Sequence, residues 1–526
     1  MGRIVFPIFS LFLWLLVALI PAWAQLPQAN PNPLGKLQAP QGTPGCSTTE
    51  PSSCEQAAAK ILPVVMGPSP LEDNLRHLTD EIGGRVTGSP AMKRAVEWGV
   101  AAFRAAGVDV HTEKYTMPVT WSEGETRLAV LAPMALPVHL VAEGWSPATP
   151  PGGIEAELVD VGGGSADEFA AVGTRAKGAI LLVHSDVSVT WADLFNEYMR
   201  APEIIGRAVK SGAAAILWMS ARERMLLYRH TNALLGELDK IPQAVVARED
   251  ALRLARFVSA SAASGQRVRV RFSMPNKIGG PLEQENVVGE IRGREEPDEV
   301  VILGAHLDSW ELGTGALDNG CNAALVIEAA RAIAASGLRP RRTIRFILFS
   351  GEEQGTLGSW AYVKSHATEL DKIRAVIIFD SGIGRVTGYS LGGRKDLEGG
   401  VREALLPLES WGANTHTADA SFGTDNFDFL LEGVPTLVAN QEEANYLPNY
   451  HAQSDTLDKV DIRELKLHTA LAAVTAWGIA DRTEPIGKRL TRPEIDALLK
   501  ETGVDKQMQL LGYWKSWQDG SRGRKP

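Results

Sequence analysis

Cysteine is scarce: three residues in 526 are too few for a disulfide-built scaffold or a thiolate zinc finger, so any metal here must be held by nitrogen and oxygen. Basic residues are outnumbered as well. Lys and Arg total 53 against 63 Asp and Glu, and the net charge of -10 excludes a chain built to neutralise phosphates, so nucleic acid is not an expected partner. Beyond residue 24 no apolar run approaches the ~18 residues of a membrane span. Glycine and proline, at 51 and 30, stay far below the ~25–30% of a low-complexity chain. What remains is a long globular chain, and at ~150 residues per domain it has room for two or three domains.

The first residues carry an address. Arg3, an apolar run over 11–20 and Ala22-Trp23-Ala24 before Gln25 read as a signal peptide over 1–24, cleaved after Ala24, which implies a secreted or periplasmic protein with no membrane attachment afterwards. The wider apolar stretch 4–20 would nearly span a bilayer, but Pro7 and Ser10 interrupt it. Residues 25–56, rich in Pro, Gln and Gly, read as a disordered lead-in. Cys46 and Cys54 lie there, and export permits either a small disulfide loop or two separate thiols.

Folding is expected from about residue 57. Helical spacing at 73–78 and 92–106, then alternation from Val108, gives two helices and a strand within 57–123. Residues 124–282 change texture to short strands at 128–131, 138–142, 156–161 and 179–184, with one helix at 202–212. That segment reads as a β-rich insertion. It holds no cluster of His with carboxylates and is expected to shape access or bind a partner rather than catalyse. From 283 to 482 strands at 300–305, 343–349, 375–379 and 434–438 alternate with helices at 323–335, 360–365 and 462–480. The pattern predicts an α/β fold, a mixed and mostly parallel sheet with helices on both faces, split by the insertion. Residues 483–526 form a charged tail with one amphipathic helix at 492–502.

In such a sheet ligands bind beyond the carboxyl ends of the strands. Those ends carry His306 and Asp308, then Asp318, then Glu352-Glu353, then Asp380, and later Tyr450-His451. Singly, each has an ordinary structural reading: a turn, a cap, a solvated acidic pair. Together they would crowd like charges into one crevice, which demands raised pKa values or a compensating cation. Two divalent zinc ions, three carboxylate ligands (Asp318, Glu353, Asp380) and one bridging hydroxide balance. Asp318, opening a helix, suits the shared position, because paired metal ions sit about 3.5–4 Å apart. Asp308 is placed to accept the second imidazole proton of His306, and Glu352 is left free as general base.

The set Gly304-Ala305-His306-Leu307-Asp308-Ser309, Ala316-Leu317-Asp318-Asn319-Gly320, Glu352-Glu353-Gln354-Gly355, Asp380, Tyr450-His451 and Ser454-Asp455-Thr456 resembles the co-catalytic zinc exopeptidases, which include secreted aminopeptidases and glutamate carboxypeptidases. His306 through Trp310, Gly313-Thr314-Gly315, the stretch from Gly337 to Thr343, and Gly423-Thr424-Asp425 with Gly433-Val434-Pro435 resemble the carboxypeptidase branch. The resemblance implies one zinc on His306, Asp318 and Asp380 and a second on Asp318, Glu353 and His451, two per chain. It implies Glu352 as the base and Tyr450 as a group polarising the scissile carbonyl. It also implies a protease-associated domain over 124–282, peptide substrates and a homodimer. Asn319 stands where the carboxypeptidase branch carries an acid and aminopeptidases carry Asn, and Cys321 reads as a small buried residue.

The function expected is hydrolysis of dipeptides or short peptides through a hydroxide shared by two metal ions. Trp310, His416 and Asp425 are candidate pocket residues. Two other readings stand beside this one: a single-zinc acyltransferase of the glutaminyl cyclase type, and a catalytically dead binding protein that uses the insertion as a receptor surface.

Overall fold

The computed structural model describes residues 53–420 and 422–525. The leader 1–24, most of the lead-in and Cys46 lie outside the described residues.

A 7-stranded sheet carries the chemistry-bearing loops, in the order Asp109–Met117, Leu282–Ile291, Arg342–Phe349, Glu296–His306, Ile373–Ile378, Thr436–Gln441, Val386–Ser390. Its central strand shows why these residues form it. Val301, Leu303 and Ala305 pack on one face against helices Cys321–Ala335 and Ile462–Asp481, which Ser53–Met66 covers in turn. Val300 and Ile302 pack on the other with Tyr362 of Leu357–Ser365 and Phe429 of Asn426–Leu431. A strand covered on both faces needs an unbroken apolar run, and alternate residues serve the two layers. The sheet is mixed, but not mostly parallel. The strands Arg342–Phe349, Glu296–His306, Ile373–Ile378 and Thr436–Gln441 run parallel, whereas both flanks are antiparallel. Antiparallel edges tolerate one wet face, and Asp109–Met117 alternates accordingly.

A second 7-stranded sheet lies between the two halves of the first in sequence, from Arg127–Ala132 to Arg269–Ser273. A two-stranded ribbon, Thr120–Ser122 with Lys277–Gly279, joins the chain on its way in and out. This segment is not β-rich with one helix. Helices Ala166–Val172, Trp191–Ser211 and Arg248–Ala263 accompany the strands. The helix expected at 202–212 is longer: Thr190 caps its start through a reciprocal bond with Asp193, and Pro202 sits inside it.

Two boundaries also move. Helix Ser53–Met66 begins inside the expected lead-in. The tail contains the expected helix Arg492–Thr502 but continues into Val504–Leu510 and Trp514–Gln518 and buries Met508, Trp517 and Arg522. Among the described residues no helix is long and apolar enough to cross a membrane.

Candidate metal centre

Three neighbouring strand ends, the turn that opens a helix and one returning loop meet at a single point. His306 is the last residue of Glu296–His306, Glu353 follows Arg342–Phe349, and Asp380 follows Ile373–Ile378. Asp318 lies in the turn Ala316–Gly320 that opens Cys321–Ala335, and His451 follows Tyr446–Asn449. Gly315 begins that turn at a φ of 61°, and a Cβ there would meet Ser309 Cβ at 2.3 Å, so only glycine fits.

The side chains form two groups that share Asp318: His306, Asp318 and Asp380, and Asp318, Glu353 and His451, with ligand atoms in each within 4.8 Å of one another. His306 Nε2 lies 3.2 Å from Asp318 Oδ1 and 3.1 Å from Asp380 Oδ1. His451 Nε2 lies 3.3 Å from Asp318 Oδ2 and 2.9 Å from Glu353 Oε2. The set is all nitrogen and oxygen. Cys321 stays apart, its thiol contacting the Leu317 carbonyl and pushed up in pKa by burial.

The electrostatics call for a cation. Burial pushes Glu353 up to about 7 and Glu352 well above the carboxylate range, even with His306 nearby. Despite its burial, His451 is lifted to about 9 by the Glu353 and Asp318 carboxylates, and His306 is raised by Asp380 in the same way. The buried carboxylates thus draw positive charge to this point. Asp318 Oδ2 and Glu353 Oε1 are buried and take no hydrogen bond among the described residues. Buried carboxylates that keep an unsatisfied oxygen and also face imidazole nitrogens at about 3 Å, with no thiolate, are the donor chemistry of zinc.

Glu352 belongs to neither group. It lines the same cavity of about 920 Å³, together with Tyr450. The Tyr450 ring stacks on His451 with centroids 3.7 Å apart, and its hydroxyl lies 3.2 Å from that of Tyr198.

Asp308 acts differently from expectation. His306 Nδ1 donates to the Asp308 backbone carbonyl at 3.0 Å, while the nearest carboxylate oxygen is 3.7 Å away, too far for a hydrogen bond. The tautomer is therefore fixed by the main chain. The Asp308 carboxylate instead accepts from Thr87 Oγ1 at 3.0 Å and from the Glu352 and Glu353 N–H groups at 3.3 Å each, anchoring the loop that carries both glutamates.

The three candidate pocket residues are elsewhere. Trp310 is buried against Trp145 and His451, His416 accepts from the Tyr389 N–H, and Asp425 is fully buried; none lines the large cavity. Of two supporting residues, Asp455 belongs to the Ser454-Asp455-Thr456 motif and Arg85 to no motif. Asp455 accepts from the Leu317 and Asp318 N–H groups at 2.6 and 3.1 Å, and Arg85 donates to the carbonyls of Leu307, Thr314 and Gly315. Asn319 donates to the Phe379 carbonyl at 2.9 Å, a bond an ionised acid could not make.

The model for peptidase family M28 matches residues 286–476, a span that contains His306, Asp318, Glu352, Glu353, Asp380 and His451. Carboxypeptidase Q of Mus musculus is 30% identical over 415 residues, covering 78% of this chain and 86% of the mouse protein. The chain belongs to peptidase family M28. Carboxypeptidase Q of Bos taurus is 31% identical over the same length, covering 78% of this chain and 85% of that protein. The solved structure of a peptidase M28 precursor from Shewanella amazonensis, 27% identical, superposes with a TM-score of 0.73 and covers 83% of this chain and 99% of that one. Membership in M28 places the chain among the co-catalytic zinc exopeptidases.

Proposed function

We propose that this M28 chain is a secreted two-zinc exopeptidase that removes residues from the free amino end of dipeptides and short peptides. The observation that carries the reading is the sharing of Asp318 between two donor groups, with the unshared Glu352 facing the same cavity. His306, Asp318 and Asp380 would hold one ion, and Asp318, Glu353 and His451 the other. When bound, zinc supplies Lewis acidity that polarises a peptide carbonyl and makes water a nucleophile near neutral pH. Glu352 takes the proton of the attacking water and delivers it to the leaving amine. The Tyr450 hydroxyl donates to the scissile carbonyl oxygen as charge builds there.

The polarity follows from the cavity wall. Among the described lining residues there is no Lys or Arg to receive a free carboxylate, whereas Asp419 and Glu443 are exposed there to receive an ammonium group. Trp191, Leu194, Phe195 and Met199 of Trp191–Ser211 supply an apolar wall for a side chain. The segment 124–282 is read as a protease-associated domain that roofs this cavity. Residues 1–24 are read as a leader removed on export, so the mature chain would begin at Gln25. A second copy of the chain is the expected partner besides substrate.

A peptide library with acetylated and amidated controls tests the polarity, alongside metal analysis of the purified chain. Cleavage should need a free amino terminus, tolerate amidation and accompany two zinc ions per chain. Activity that survives acetylation and fails on amidation would reverse the polarity, and one zinc per chain would favour the cyclase-type reading.

A further inference from the structure

His451 has an unusual place in the backbone. Its φ is 58°, in the left-handed region that strains a non-glycine residue and persists only where the surroundings impose it. The imposing neighbour is the segment 227–230, which belongs to the insertion. The Arg229 N–H donates to the His451 carbonyl and the Gln453 N–H to the Leu227 carbonyl, each at 3.1 Å, and Tyr228 bridges Ala452 in antiparallel fashion. One side-chain contact continues this clasp: His230 Nδ1 lies 3.0 Å from His451 Nδ1.

The direction of that bond follows from the metal reading. His451 Nε2 faces Asp318 and Glu353, so a cation bound there takes its lone pair and leaves the proton on Nδ1. That proton needs an acceptor. Metal-bound histidines ordinarily give it to a carboxylate, a carbonyl or water, and such partners orient the ring. Here the partner is a second imidazole, which accepts at Nδ1 and so carries its own proton on Nε2, a buried position with no hydrogen-bond partner among the described residues, the Glu197 Oε1 atom lying 4.0 Å away. His230 is itself fixed, because its N–H donates to Glu143 Oε2 at 3.2 Å and its carbonyl accepts from the Gly144 N–H at 2.7 Å. The Tyr198 hydroxyl, 2.9 Å from the same His230 nitrogen and 3.2 Å from the Tyr450 hydroxyl, ties the pair to the cavity wall.

We propose that His230 is a positioning residue for the metal centre: its Nδ1 accepts the His451 Nδ1 proton, and the insertion thereby aims the last ligand. The inference rests on the two-zinc reading above. It gives the insertion a part in building the site besides covering it.

Zinc titration of the full chain against a chromophoric chelator tests this with two variants. H230L removes the acceptor and should weaken zinc binding at one site by about 10–100-fold, the usual cost of losing such a partner. H230N puts an amide oxygen near the place of Nδ1 and should restore most of the affinity. H230L with wild-type affinity, or H230N as weak as H230L, overturns the proposal while leaving a wild-type chain that binds two zinc ions and cleaves peptides. A wild-type chain that binds no zinc overturns the underlying reading instead. If H230L does not fold, the zinc-loaded wild-type chain labelled with 15N-histidine decides. His230 Nδ1 should show the shift of an unprotonated, hydrogen-bonded nitrogen, and a protonated Nδ1 there overturns the proposal.

Discussion

Replacing Arg522 with methionine should destabilise the chain more than a change so near its end suggests. Arg522 and Asp428 pair with side chains 1% exposed each, through Nε to Oδ1 at 2.7 Å and Nη2 to Oδ2 at 2.8 Å. The guanidinium also lies over the rings of Trp360 and Tyr513, 4.9 and 4.8 Å from their centroids. Methionine keeps most of the aliphatic stem but leaves Asp428 buried without its cation, and breaking such a pair costs about 3–5 kcal/mol. Thr356 Oγ1 at 2.9 Å and Ser359 Oγ at 3.4 Å still reach the carboxylate, which puts R522M near the lower end of that range. A second change, D428N, removes the stranded charge, so the double variant should recover about 2 kcal/mol relative to R522M. Urea unfolding of the four chains, followed by tryptophan fluorescence, completes the cycle. Arg522 also donates to the Gly355 carbonyl and to Thr356, just beyond Glu352-Glu353, so R522M should lower kcat as well. A cost under about 1 kcal/mol for R522M, or strictly additive effects in the cycle, would refute the assignment of a buried, coupled pair.

Two further outcomes are expected. E352Q should keep both zinc ions, since Glu352 belongs to neither donor group, yet lose at least ~100-fold in kcat; near-normal turnover would remove Glu352 from the role of base. His468 is buried in Ile462–Asp481 and donates to the Gly384 carbonyl at 2.7 Å, and burial holds its pKa down to about 4. Above pH ~6.5 both folded and unfolded chains carry it neutral; below that the unfolded chain alone takes up the proton, so stability falls by about 3 kcal/mol as the pH reaches 4. H468Q keeps a donor but does not titrate, so its stability should fall less between pH 7 and pH 4 than that of the parent in urea unfolding at each pH; parallel curves would contradict the reading.

The central strands were legible because their signal is local. The run Val300 to Ala305 is apolar at every position except Gly304, and a strand sandwiched between helices needs that pattern. Helix Arg492–Thr502 was legible for the same reason, since Thr491 and Glu494 form a capping box at its start. The helix Trp191–Ser211 is legible only in its second half, since Pro202 interrupts the pattern and tertiary packing carries the helix across it. Helix Arg248–Ala263 has only a modest apolar stripe, with Ala251 and Leu254 as its buried hydrophobic residues, and depends on the sheet beneath it.

The donor residues and their supports differ in the same way. A donor is legible from its chemistry and from its place at a strand end, and His306, Asp318, Glu353, Asp380 and His451 all have both. A support is chosen by what the finished fold brings within 3 Å of the donor. Arg85 reaches Leu307 across 222 positions of sequence, His230 reaches His451 across 221, and Arg522 reaches Thr356 across 166. No motif spacing can encode such distances, because the intervening chain builds two sheets before the contact exists. All three supports lie outside residues 286–476, where the family model matches and every donor lies. The donors alone would not hold the site's geometry: Arg85 fixes the loop after His306, His230 contacts the ring of His451, and Arg522 braces the loop after Glu352. The matched centre is thus braced from the flanks as well as by Asp308 and Asp455 within it, and substitutions in the flanks should alter metal affinity and turnover.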